Sequence, residues 1–539
     1  MPDILDMFPV RVLIVLLFVA GGVQAADPAV LIGQIVDAQT GEPIPARIYV
    51  EDAAGNWLHP ESTGGSAVRY QKRRAEKSVE IHTSLSEHPF RLVTQPGLVT
   101  ITVERGKEYF SLTNKVALKP GENRVRLELR RWINMAERGW YSGDTHVHRT
   151  LDELPNLMLA EDLNVTFPLV YWVTRAYEQP TTGNKNLGGA IPDQLIKVDD
   201  THVIWPRNTE YEIFSVGRKR HMLGAVFFLN HRSVFKIGAP PIEPVAIRAR
   251  AEGSLLELDK HNWPWSMMIV PVLNVDLYEL SNNHVWRTEF AFKDWSLDAP
   301  KYMGLNQQPN WTERDWLFYG FKNYYALLNC GFNLRPTAGN ASGVHPVPLG
   351  FGRVYVKLEK DFDYDQWIHG LSAGRSFVTT GPMLFATIKG QDPGYRFDKV
   401  KSGQKFRIAG EVISDHPPGG VEIIRNGRVL SMIASQAERR ADGSYRFRFE
   451  HEVEIEESSW VALRYLETRA GGRIRFAHSG IFHFHVEGKP LRARKEEVQF
   501  LIQRMEEQLK RSKGVLKPDA IAEYEEALAV YRRIAATAR

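Results

Sequence analysis

A chain of 539 residues is too long for a single hydrophobic core and implies about three or four domains. Its 43% hydrophobic and 24% charged residues are typical of globular protein and exclude long disorder. A formal charge of +4 with no basic run argues against a nucleic-acid partner, and a single cysteine, Cys330, excludes an internal disulfide or a thiolate metal cluster.

Arg11 precedes the apolar run "VLIVLLFVAGGV", and "VQA" then stands before "ADP". This predicts a secretory leader over residues 1–25, cleaved near Ala25, with an uncleaved anchor as the alternative because Asp3 and Asp6 are unusual in such a leader. The mature protein is then exported, periplasmic or extracellular, with no membrane span. Residues 27–135 read as a β-sandwich: "IGQIVDAQTGEPIPARIYVED" places two apolar runs around a Thr-Gly-Glu-Pro turn, and "LVTITVERGKEY" alternates. The stretch resembles the carboxypeptidase regulatory-like domain.

Residues 136–382 change character. Strand-like apolar runs, "VTFPLVYWV", "MLGAVFFLN" and "WSMMIVPVL", alternate with polar stretches and helix-compatible segments such as "DWLFYGFKNYYALLNCG". That pattern predicts an α/β domain on parallel strands. Residues 383–488 return to β, with an Asn-Gly hairpin in "VEIIRNGRVLSMI", and fit an immunoglobulin-like sandwich. Residues 489–539 predict a helical hairpin: Val498, Leu501, Met505 and Leu509 share one face, and Ile521, Tyr524, Leu528 and Tyr531 share another after Pro518. Docking on the preceding domains and dimerisation are its two readings, and the oligomeric state stays open.

Seven of the 17 histidines fall between residues 146 and 284. In "GDTHVHR", Asp144, His146 and His148 occupy alternate positions, so on a strand they point the same way, and Gly143 lets the backbone approach closely. Further ligand types follow where apolar runs meet polar ones: Glu210, Glu212 and His221, then His261, then Asp276, Glu279 and His284. Such a set suits zinc first, with manganese or iron as alternatives, as one or two ions. The competing structural reading is that these groups are strand-end polar residues bonded to their neighbours. The pair His483 and His485 in "FHFHVEG" has the same spacing and reads as an ordinary sandwich strand.

"GWYSGDTHVHR" resembles the opening motif of the CehA/McbA family of metallohydrolases in the polymerase and histidinol phosphatase (PHP) superfamily. "HNWPWS", the Glu-then-His segment at 210–221 and "GLSAGRSFVTTGPML" add to the resemblance. It implies a distorted (β/α)7 PHP-like barrel between the two sandwiches, with His146, His148, Glu210, His221 and His261 as metal ligands. Glu210 and Asp144 take the catalytic and orienting roles. Asn283, His284, Arg149 and Arg287 are placed at the mouth as substrate-binding groups, the arginines favouring an anion. Two departures stand against it. The family's Asp-His pair is replaced by Val173, Thr174 and Arg175, and its late aspartate by Asn340 and Ala341, with His345 as a stand-in for the late histidine.

Two functions follow. One is an exported hydrolase using a metal-activated water on an ester or phosphoester of a small-molecule or glycan-linked substrate. The other is a catalytically degenerate barrel serving as a cell-surface or glycan-binding module. The retained ligand set favours the first, the missing acids the second.

Overall fold

The computed structural model describes residues 27–182, 190–259, 263–288, 299–307 and 310–539; the leader and His261 lie outside the described residues. No helix among those described is long and apolar enough to cross a membrane. The protein is a multi-sheet, strand-rich α/β molecule with a helical C-terminal tail.

Its N-terminal part is a β-sandwich. Strands Gly121–Leu129, Ala29–Asp37, Phe90–Thr94 and Glu61–Ser62 form one sheet, with the first two parallel. Ala67–Arg73, Val79–Leu85, Ala46–Asp52, Gly97–Glu104 and Leu112–Leu118 form the other. Alternating side chains meet between them in a core that includes Leu31, Ile48, Ile101 and Leu127.

The central part carries two sheets around a shared core. One runs in the order Tyr171–Arg175, Thr209–Val216, Lys219–Leu229, Leu255–Asp259, Leu277–Ser281, Arg335–Ala338. Its outer pairs are parallel and its inner two antiparallel, so the sheet is mixed rather than purely parallel. The second sheet holds Trp140–Val147, paired in parallel with Val165–Pro168 and antiparallel with Arg353–Lys357. It continues through Ser376–Thr379 into Ile474–Ser479, so the C-terminal sandwich is joined to the centre by main-chain hydrogen bonds. The Asn426-Gly427 turn joins Val421–Arg425 to Arg428–Ile433 with both residues at positive φ, as the hairpin requires.

One run differs from its expected state. "WSMMIVPVL" lies in a helix, Pro264–Leu273, not a strand. An all-apolar run has no visible period, and burial of Trp265, Met268 and Ile269 hides the difference between a core helix and a core strand. Pro264 in the first turn and Asn274 in the left-handed region just after the last are its start and stop signals.

The tail, Lys495–Ser512 and Pro518–Ala535, docks on this central part: Tyr531 Oη donates to Met267 O at 2.7 Å, and Glu523 Oε1 accepts from the backbone N–H of Ile242 and Glu243, both at 2.8 Å.

Candidate metal centre

Every residue of Trp140–Val147 is buried, and its C-terminal end runs into the site. Gly143 makes room for Trp367: a Cβ there would lie 2.5 Å from the indole ring. Irregular pairing with Val165–Pro168 between Asp144 and Val147 breaks the simple alternation. Asp144 consequently serves the backbone. Its Oδ1 accepts from His146 N at 3.1 Å, and its Oδ2 from Asn340 Nδ2 at 2.6 Å and Gly350 N at 3.0 Å. Burial raises its pKa to about 6, against the pull of those hydrogen bonds.

The two histidines converge. His146 Nε2 lies 3.1 Å from His148 Nε2, and His148 Nε2 lies 3.3 Å from Glu210 Oε2. Glu210 arrives there through sheet register: it stands opposite Phe227, whose ring packs edge-on against His146 at 4.4 Å between centroids. Ligands about 2.0–2.1 Å from a tetrahedral ion lie about 3.3 Å from one another, the spacing seen here. His146, His148 and Glu210 thus form one group that could hold a metal ion, and His146, Asp259 and Glu279 form a second. Glu279 Oε1 is 3.1 Å from His146 Nδ1; a carboxylate can only accept, so it keeps the proton on Nδ1 and leaves the Nε2 lone pair facing His148 and Glu210.

Buried acid surrounds the pair. Glu210, Asp259 and Glu279 are at most 1% exposed. Glu257 Oε1 accepts from Thr145 Oγ1 at 2.8 Å and Thr337 Oγ1 at 2.5 Å, and burial, reinforced by Asp259 and Asp144, raises its pKa to about 8. The loop after Arg335–Ala338 closes over the histidines: Ala341 N donates to His146 O at 2.7 Å and His148 N to Ser342 O at 2.9 Å. Gly339 is needed for that approach, since a Cβ would sit 2.2 Å from His146 Cβ and 2.3 Å from Glu279 Oε1.

Neither protein-family models, nor curated proteins, nor solved structures give a match to this chain.

A cavity of about 190 Å³ opens on His146 and His148, walled by Trp172, Phe214 and Trp263 and edged by Glu212. Asn283, His284 and His345 also line it, and Arg74 reaches it from the N-terminal sandwich. Glu212 accepts from Trp172 Nε1 at 3.2 Å.

The structure does not bring every expected residue here. His221 Nε2 lies 3.3 Å from Ser512 Oγ in the tail, six positions along its strand from Phe227 and so about 20 Å from Glu210. Its long strand runs beyond its pairing with Leu255–Asp259, which ends at Ala225, and meets the tail there; burial pushes its pKa down to about 4. Arg149 stacks over Tyr70, with its carbon 3.9 Å from the ring centroid, and Arg287 donates to Glu80 at 3.0 Å; both face the N-terminal sandwich rather than the cavity. Arg175 is exposed beside Glu178. Asn340 spends its amide on Asp144 and Gly352 O.

Asp259 is not marked by any motif in the sequence, and Glu279 stands out there only as one ligand type among several. Their shared signal is an acid inside a fully buried apolar strand, "LLELD" and "LYELS".

Proposed function

We propose that His146, His148 and Glu210 hold a divalent cation, zinc in first place with manganese or iron as alternatives, and that Asp259 and Glu279 provide for a second ion or fix the first. The reading carries the CehA/McbA resemblance with it: a PHP-like barrel between a regulatory-like and an immunoglobulin-like sandwich, exported behind the residue 1–25 leader. The observation that carries it is the convergence of two imidazole Nε2 atoms and one carboxylate oxygen at 3.1 and 3.3 Å, at the spacing of ligands sharing one ion.

A cation bound there supplies the Lewis acidity that makes water a nucleophile near neutral pH. The chain's own residues do the rest. Glu279 holds the His146 tautomer. Trp172, Phe214 and Trp263 give the cavity apolar walls, which strengthen charge interactions against them. Arg74 gives the cavity a cation for a phosphoester or a carboxylate-bearing ester, and Asn283 and His284 offer polar groups to orient it. The activity that fits is hydrolysis of an ester or phosphoester in a small-molecule or glycan-linked substrate.

The second reading, a barrel kept for binding, rests on Asn340 and on Arg175, which stand where the resemblance expects acid and acid-histidine groups. Metal analysis of the purified protein separates the two. The hydrolase requires near-stoichiometric metal that is lost in His146→Ala together with turnover of aryl phosphates or esters. A folded wild-type protein that takes up no zinc, manganese or iron would leave only the binding module.

A further inference from the structure

A second cavity, of about 240 Å³, lies where the N-terminal sandwich, the central part and the C-terminal sandwich meet, and it shares no lining residue with the metal centre. Its lining carries five cations, Arg47, Lys107, Arg287, Arg469 and Arg475, against three carboxylates, Glu104, Glu161 and Asp415. Three of the cations are matched. Arg47 pairs with Glu104 and Glu161, Arg287 with Glu80, and Arg469 with Asp415 and Glu467.

Lys107 and Arg475 are not matched in this way. Lys107 Nζ donates to Thr380 O at 3.2 Å and sits 3.9 Å from the Phe351 ring centroid; among the described residues no carboxylate forms an ion pair with it. Arg475 donates to the carbonyls of Ile474 and Arg287, at 2.9 and 3.2 Å, and lies 4.9 Å from the same ring. Its nearest carboxylate, Glu313 at 4.0 Å, is already gripped by Arg473 through two bonds of 2.8 Å. Beside them Arg353 is fully buried and spends its donors on the carbonyls of Gly350, Asp162 and Glu161. Two cations from different sandwiches thus approach one aromatic ring in a shared cavity. Burial, with Arg475 and Arg353 nearby, drives the Lys107 pKa well down, and burial takes Arg475 to about 10. Such an arrangement is costly unless an anion completes it.

We propose that this junction binds a tetrahedral oxyanion, phosphate or sulfate, either free or as the end group of a small ester, between Lys107 and Arg475. A dianion matches the two unmatched charges. The guanidinium offers a planar fork and the ammonium a compact charge with spare donors, a combination suited to a tetrahedral group. Thr380 Oγ1 accepts from Phe476 N at 2.9 Å and has its own O–H to give. The volume leaves room beside the ion for a small organic substituent.

The test is titration calorimetry of the full chain, chelator-treated to empty the metal centre, in a buffer free of oxyanions. The probes are inorganic phosphate, sulfate and glycerol 3-phosphate. Saturable binding is expected, weakened at least tenfold in Lys107→Met and in Arg475→Met, while Lys107→Arg and Arg475→Lys retain most of it. Circular dichroism and Tm show that each variant folds. Tighter binding of glycerol 3-phosphate than of phosphate assigns an esterified ligand, and equal binding assigns the free ion. Absence of saturable binding to the wild type, or binding untouched by both methionine variants, overturns the site. Because the metal is removed beforehand, failure here leaves the hydrolase reading standing, and failure of that reading leaves this one.

Discussion

Glu279 lies 133 positions after His146 in the chain, yet its Oε1 stands 3.1 Å from His146 Nδ1. The contact decides which imidazole nitrogen turns its lone pair toward His148 and Glu210. Glu279→Gln keeps a hydrogen-bond acceptor but removes the charge, and metal affinity is expected to fall by about 10-fold, toward 100-fold for Glu279→Ala. Competition with a chromophoric chelator measures it; affinity unchanged in both variants would sever Glu279 from the centre.

Gly339→Ala tests how tightly the loop closes. The added methyl overlaps His146 Cβ and Glu279 Oε1, so the loop or the imidazole must shift. A loss of about 1–3 kcal/mol in denaturant unfolding, with weakened metal binding, is expected. A variant as stable and as metal-loaded as wild type would show that the loop sits further away.

The N-terminal sandwich reaches the site through Tyr70, whose hydroxyl donates to His345 O and accepts from Gly343 N at 3.0 Å. Tyr70→Phe removes both bonds and leaves a half-buried N–H without its acceptor. A cost of about 1–3 kcal/mol is expected, together with faster hydrogen exchange in residues 341–345. Exchange rates equal to those of wild type would mean that the loop holds itself.

His221→Ala is expected to leave metal content unchanged and to loosen the tail, because its imidazole meets Ser512. Limited proteolysis within 489–539 reads the tail, and elemental analysis reads the metal. Loss of metal with an intact tail would restore His221 to the ligand set.

The tail also carries a pH dependence. Burial raises the Glu523 pKa from 4.5 to about 7 while it accepts from two backbone N–H groups. The folded state therefore holds its proton more tightly than the unfolded chain. This contribution is fully present below about pH 4.5, declines as pH rises toward 7 and levels off above, a change on the order of 3 kcal/mol. Glu523→Gln keeps an accepting oxygen and should flatten that part of the stability profile between pH 5 and 8. An unaltered profile would locate the titration elsewhere.

Much of this architecture is readable in local chemistry. The Asn-Gly turn, the alternation in Tyr445–Ile455 and Pro518 in the first helical turn specify hairpin, strand and helix because each depends on residues within one turn or one pleat. His146 and His148 stand out for the same reason: two imidazoles at one strand end are a local pattern. Glu210 and Glu212 share one strand face, and sheet register is what sets Glu210 beside His148 and Glu212 beside Trp172.

Neighbours from distant strands were beyond such reading. Asp259 and Glu279 enter the centre because Leu255–Asp259 and Leu277–Ser281 lie side by side in the sheet, a pairing that local propensity does not encode. Arg149 and Arg287 turn to the N-terminal sandwich because Tyr70, Tyr49 and Glu80 await them there. The chain's composition and periodicity mark most of the strands and helices, the all-apolar run of Pro264–Leu273 excepted, and the strand end that carries His146 and His148; long-range packing alone chose which metal-binding side chains meet, because a charged group buried in a fold must find its partner wherever the chain brings one.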